Sequence, residues 1–214
     1  MFIKTLAVGP LGTNCYLIGC EETGEGAVID PGGDAPVILA AVEEAGLTIR
    51  YVLNTHAHFD HIGANADVVA ATGAPLGLHP RDLPLLRARG GADLWGFPLK
   101  PSPLPDLALA DGQVLEVGQL RLRVLFTPGH SPGHVSFYEP TAGVIFDGDV
   151  LFWRGIGRPA LSGGDYRTLM ASIHRRLLTL PDETVVYPGH GPATTIGEER
   201  RSNPFLVAFG RGNR

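Results

Sequence analysis

Cysteine is scarce in this 214-residue chain: only Cys15 and Cys20 occur, and their spacing is not the C-x-x-C of a redox pair or zinc knuckle. Two buried apolar thiols are expected instead. Long apolar runs are missing too. Gly9, Pro10, Gly12 and Asn14 interrupt the first twenty residues, and no later run approaches the 18 residues of a membrane span. The expectation is a cytoplasmic protein with no membrane partner. Positive charge is both sparse and scattered. The 17 Lys and Arg are outnumbered by 22 Asp and Glu, and arginines are adjacent only at Arg175-Arg176 and Arg200-Arg201. With a pI near 5.9 and no basic stripe, nucleic acid is excluded as an expected partner.

What the chain does have is enough apolar sequence, 44% of its residues, to bury a substantial core. Apolar alternation predicts strands over 2–8, 14–19 and 26–30, the last running into the turn Asp30-Pro31-Gly32-Gly33. A helix over 35–46, a strand over 50–55, a helix over 62–72, a strand over 75–79 and a short helix over 81–89 follow. Residues 90–112 are rich in Gly and Pro and carry no clear period, so they read as a surface crossing. Beyond them the pattern resumes with strands over 113–117, 120–126, 134–139 and 143–149, a helix over 166–180, a strand over 184–188 and a helix over 195–202. Two sheets, each flanked by helices, make an α/β fold of four layers, an αββα sandwich. The expected organisation is one domain over 1–206, built of two halves, with 207–214 a disordered tail.

The segment YVLNTHAHFDHIGA, residues 51–64, sets His56, His58, Asp60 and His61 within six positions, directly after a buried strand. In an extended segment residues two apart point the same way, so His56 and His58 can converge on one metal ion. Asp60 and His61, where the chain turns into a helix, can reach a second. Imidazole nitrogens and a carboxylate suit zinc, iron(II) or manganese. Four residues cannot close two sites, and further donors stand at other strand ends: His130 in LFTPGH, Asp149 in VIFDGD and His190 in VVYPGH. Each is next to glycine, as expected where a rigid sheet delivers side chains to one rim.

THAHFDH at 55–61, PGHSPGH at 128–134, FDGD at 146–149 and YPGH at 187–190 together resemble the metallo-β-lactamase superfamily. The segment Gly155 to Arg158 and the ending ERRSNPFL at 199–206 resemble its small glyoxalase II-like hydrolases. The resemblance implies a first metal site of His56, His58 and His130, a second of Asp60, His61 and His190, and Asp149 bridging them. It implies two divalent ions, zinc first, with iron or manganese as alternatives. Two such ions, about 3.5–4 Å apart, bring the pKa of a bridging water from about 15.7 to about 7 and so supply hydroxide as nucleophile. Asp60 is then also catalytic, orienting that hydroxide.

The implied reaction is hydrolysis of a small-molecule thioester, S-lactoylglutathione or a related acyl-thiol. The alternatives are a persulfide dioxygenase with one iron on His56, His130 and Asp149, and a lactonase of the same superfamily. By the resemblance, Arg158 falls where a basic residue meets the glutathione carboxylate. Ala160 and Pro192 fall where glyoxalase II enzymes tend to have tyrosines. Asp30 is either a turn former or an acceptor that fixes a histidine tautomer. His134 is expected to support the site rather than bind metal. His79 and His174 are set aside as ligands, His174 as a solvated residue beside two arginines.

Overall fold

The computed structural model describes residues 1–158 and 163–211. The first half contributes β1 (Phe2–Val8), β2 (Thr13–Gly19), β3 (Glu25–Ile29), α1 (Ala35–Glu44), β4 (Thr48–Leu53), α2 (Phe59–Ile62), α3 (Asn65–Thr72), β5 (Leu76–Leu78), α4 (Leu83–Arg87) and β6 (Leu107–Ala108). The second contributes β7 (Val114–Val117), β8 (Leu120–Phe126), β9 (Val135–Glu139), β10 (Val144–Gly148), β11 (Leu151–Phe152), β12 (Gly155–Ile156), α5 (Tyr166–Ser172), β13 (Val185–Pro188), β14 (Thr194–Thr195), α6 (Ile196–Ser202) and α7 (Pro204–Arg211). Strands β1 to β6 lie in sequence order in one six-stranded sheet. The other runs β14-β13-β10-β9-β8-β7, and β11 with β12 forms a small separate ribbon.

The four layers follow from the alternation of side chains along each strand. On β2, Tyr16 and Ile18 point into the space between the sheets, while Leu17 joins the core under α1 and α3. On β3, Ala27 and Ile29 take the first direction and Val28 the second. The second sheet repeats the division: Val144 and Phe146 of β10 face the first sheet, and Ile145 packs with Leu169, Ile173 and Ile196 of the outer helical layer. Strands buried on both faces read as near-continuous apolar runs, which is why TNCYLIG is buried throughout. The expected αββα sandwich is the fold.

The elements differ from the sequence reading at a few points, each with a structural cause. The helix expected over 62–72 is broken at Ala64 (φ -105°, ψ 4°), whose N donates to Pro31 O (2.8 Å), and at the adjoining Gly63 a Cβ would collide with the Gly32 carbonyl. The 90–112 crossing is not wholly irregular: 3-10 turns within Arg89–Trp95 are joined across a kink at Gly90 and Gly91 (φ 61° and 79°), and β6 adds a parallel strand to β5. The helix expected to reach 180 changes at Ile173–Leu177 to a π-turn, whose i+5 bond runs from Leu178 N to Ile173 O (2.8 Å). The tail expected from 207 is helical as far as Arg211. Asn203 Oδ1 accepts from Phe205 N (3.0 Å) at its start, and Leu206 packs into the outer core. Residues 212–214 lie outside the described residues. Among the described residues no helix is long and apolar enough to cross a membrane.

Candidate metal centre

Four strand ends meet at one rim. Parallel β3, β4 and β5 point their C-terminal ends there, and parallel β10 and β13 do the same from the second sheet. β4 leads into 54–61, β8 into His130, β10 into Asp149 and β13 into His190. A bond from Val135 N to Thr55 O (2.8 Å) ties the two sheets at this level.

All seven residues that the sequence marked as ligands come together here. Donor atoms of His56, His58 and His130 lie within 4.8 Å of one another, as do those of His56, His61 and Asp149, and those of Asp60, His61 and His190. His58 Nδ1 and His130 Nε2 are 2.8 Å apart. Asp149 Oδ2 stands 3.5 Å from His130 Nε2 and 3.8 Å from His190 Nε2, and its Oδ1 is 3.5 Å from His61 Nε2, so this carboxylate lies between the two groups. Asp60 Oδ2 is 3.1 Å from His190 Nε2. It sits in the first turn of α2 and not at the N-cap, which is His58.

The surrounding polar atoms set which nitrogen of each ring faces inward. Asp30 is both of the things expected of it: its backbone turns at φ 51°, and its buried carboxylate accepts from Thr55 N (2.7 Å) and Thr55 Oγ1 (2.7 Å) and faces His61 Nδ1 (3.0 Å). His61 Nδ1–H therefore donates to Asp30, leaving Nε2 for the site. Thr55 Oγ1, its own proton given to Asp30, accepts from His56 Nδ1 (3.0 Å), so His56 Nε2 also faces inward as a lone pair. His130 Nδ1 donates to Arg158 O (2.8 Å) with the same result. His134 differs: its Nε2 accepts from Asp149 N (3.1 Å) and its Nδ1 meets Thr127 Oγ1 (3.0 Å), so it aims Asp149 and has no lone pair left to coordinate. Asp147 Oδ2 adds a bond from Leu151 N (3.0 Å) that closes the turn carrying Asp149.

Electrostatics divide the ligands. Burial pushes His56 and His130 well down, as it does His58, which falls to about 4. Burial acts in the same direction on His61, but Asp60, Asp149 and Asp30 outweigh it and raise the ring to about 10. Burial would raise Asp60; His61 and His190 together with the Thr13 hydroxyl hold it low instead. Three carboxylates around one imidazole call for positive charge, which a divalent cation supplies. His56 Nε2, His61 Nε2 and Asp149 Oδ1 are buried with no hydrogen-bond partner among the described residues, and all three face this space. An uncompensated buried polar atom costs about 1–3 kcal/mol, so three converging at one point fit coordination better than packing.

Sequence reasoning missed three residues. Asp82, fully buried, accepts from Ala57 N (3.0 Å) and Ser131 Oγ (2.7 Å) at Oδ2 and from Gly133 N (2.5 Å) at Oδ1, tying the His56-His58 segment to the His130 turn. Thr13 Oγ1 donates to Asp60 Oδ2 (2.9 Å), and Asn14 holds the turn of His190. The signal available for Asp82 was an acid inside the apolar stretch RDLPLL. Arg158 enters through its carbonyl, while its side chain is exposed. Ala160 lies outside the described residues, and Pro192 is exposed. His174 is half-buried and not fully solvated, because it lies in the π-turn against the outer core; His79 stacks on Phe126 (4.5 Å). Cys15 and Cys20 are both buried and free, as expected.

Paired donor clusters at the edge of two stacked sheets define a class, and the match to the metallo-beta-lactamase superfamily over residues 8–190 places the chain in it: the protein belongs to that superfamily. Among its relatives, the "Probable metallo-hydrolase YqgX" of Bacillus subtilis is 42% identical over 209 residues, covering 96% of this chain and 98% of that protein. The "Hydroxyacylglutathione hydrolase GloC" of Haemophilus influenzae is 40% identical with the same coverage. Similar solved structures include the BLEG-1 B3 metallo-beta-lactamase (42% identity, TM-score 0.91) and TTHA1623 in a di-iron-bound form (46%, TM-score 0.87), each covering 96% of this chain and 100% of the other.

Proposed function

We propose that this protein is a metal-dependent hydrolase of small acyl-thiol thioesters, with two divalent ions held by the seven clustered residues. His56, His58 and His130 would hold one ion, Asp60, His61 and His190 the other, and Asp149 both. The observation that carries this reading is the position of Asp149 between two donor sets, with His56 Nε2, His61 Nε2 and its own Oδ1 buried there without a hydrogen-bond partner among the described residues. The similarity to GloC along nearly the whole of both chains supports the thioester. Zinc is the ion proposed first, and the di-iron-bound TTHA1623 makes iron the alternative.

When bound, the ion pair supplies an activated water at neutral pH and polarises the acyl carbonyl. The chain's own part is orientation. Asp60, its Oδ2 fixed by Thr13, would orient the attacking water through its carboxylate. Water oxygen adds to the acyl carbon and gives up a proton to solvent, the carbon–sulfur bond breaks, and the sulfur leaves with the bonding pair as thiolate. A thiol has a pKa of about 8.5, so the thiolate departs with little help from an acid, which an ester or amide leaving group would need. A site made of metal donors suffices for that bond. Arg158, exposed beside the turn that His130 bonds, is proposed to meet a carboxylate of the substrate.

The test is to purify the protein without chelator, measure zinc, iron and manganese, and assay S-lactoylglutathione hydrolysis beside nitrocefin hydrolysis and oxygen uptake with glutathione persulfide. The expected result is two ions per chain and thioester turnover without oxygen uptake. Oxygen consumption with a single iron per chain overturns the proposal in favour of a dioxygenase, and turnover of nitrocefin alone overturns it in favour of a lactamase.

A further inference from the structure

His190 reaches the site by a route unlike that of its partners. Asp60 and His61 leave the first sheet through α2 and are nearly buried, with side chains 8% and 0% exposed. His190 arrives from the second sheet on the turn after β13, and its side chain is 30% exposed. Packing alone therefore fixes it less firmly, and its aim depends on what holds the turn.

One residue of the first sheet does most of this. Asn14, on β2, is 174 positions from Pro188 in sequence. Its Nδ2 donates to Pro188 O (2.9 Å) and to Gly191 O (2.9 Å), and its backbone N donates to Gly189 O (2.7 Å). The carbonyls on both sides of His190 are thus held by one planar carboxamide. The geometry is specific to that group: two amide protons on one nitrogen serve two carbonyls, where a carboxylate would set oxygen against oxygen and a hydroxyl could serve only one. Tyr16 OH adds a second bond to Pro188 O (2.5 Å) but does not reach beyond it.

We propose that Asn14 is the positioning residue for His190, so that the second metal site is completed only where the two sheets meet. The inference rests on the two-ion reading above. Asn14 makes no hydrogen bond to a candidate ligand side chain; it acts through the backbone of 188–191. The first site is attached elsewhere, through Asp82 and Thr55, and Asn14 makes none of those bonds.

The experiment measures zinc binding by chelator competition in the full chain, for wild type, Asn14→Ala, His190→Ala and the double variant, with thermal unfolding to confirm folding. Asn14→Ser, which keeps a small polar side chain, stands in where the alanine variant is too unstable to purify. The wild type is expected to bind two ions. Asn14→Ala should bind the first as tightly as wild type and the second about 10- to 100-fold more weakly, the usual effect of removing support around a ligand. In the His190→Ala background the Asn14 substitution should add no further loss, which a general weakening of the fold would. A folded Asn14 variant with unchanged second-ion affinity overturns the inference, as does an equal loss of both ions or a fully additive double variant. Wild type binding one ion overturns the two-ion reading and this inference with it.

Discussion

The first candidate site is lined by three imidazoles, His56, His58 and His130, whereas the second sets the carboxylate of Asp60 beside His61 and His190. The first is an uncharged donor set kept neutral by burial, which pushes all three rings down. In the second, carboxylates raise His61 and His190 in spite of burial. The supports differ in the same way. A buried carboxylate, Asp82, gathers the backbone around the first site from within, while the second relies on Thr13 and Asn14 reaching across from β2. The proposed first site would therefore bind by preformed geometry and the proposed second by charge, assembled between halves.

The largest expected effect comes from the residue common to both. Asp149→Asn should lower metal content from two ions to about one per chain and reduce thioester hydrolysis on the order of a thousandfold, the scale of losing a charge aimed at the reacting centre. Retention of two ions by elemental analysis would refute the bridging role. Asp82→Ala probes the first site alone. It strips the acceptor from Ala57 N, Ser131 Oγ and Gly133 N, so denaturant melts should show a loss on the order of 3 kcal/mol. First-site affinity should fall about 10- to 100-fold with the second unaffected, and equal losses at both sites would erase the distinction. The smallest change is expected of Arg158→Ala. The carbonyl that holds His130 survives the substitution, so metal content should be unchanged while KM for S-lactoylglutathione rises about fivefold, the scale of one exposed charge worth about 1 kcal/mol. A drop in metal content instead would place the side chain in the support of the site.

The legible part of this molecule was the part with a local signature. Strands buried on both faces announce themselves as apolar runs, and the candidate ligands were visible because they cluster at 56–61 or, at His130, Asp149 and His190, follow an apolar run beside glycine. Asp82, Thr13 and Asn14 had no such mark. Each acts on residues 47 or more positions away apart from Asp82's reach to Ala57, and a side chain that serves a distant backbone leaves no period in its own neighbourhood. The break at Ala64 was hidden for the same reason, since its N–H is taken by the distant carbonyl of Pro31.

Asp30 touches both sites: directly at His61, and at His56 through the hydroxyl of Thr55. With two ions held as proposed, a change in how strongly it draws on one ring would alter what it offers the other, so the two binding events would share a coupling free energy. Linkage makes that coupling reciprocal: by whatever factor the first ion changes the affinity for the second, the second changes the affinity for the first. Order of loading is then a matter of kinetics and concentration, and a buried aspartate becomes the point through which two equilibria are joined.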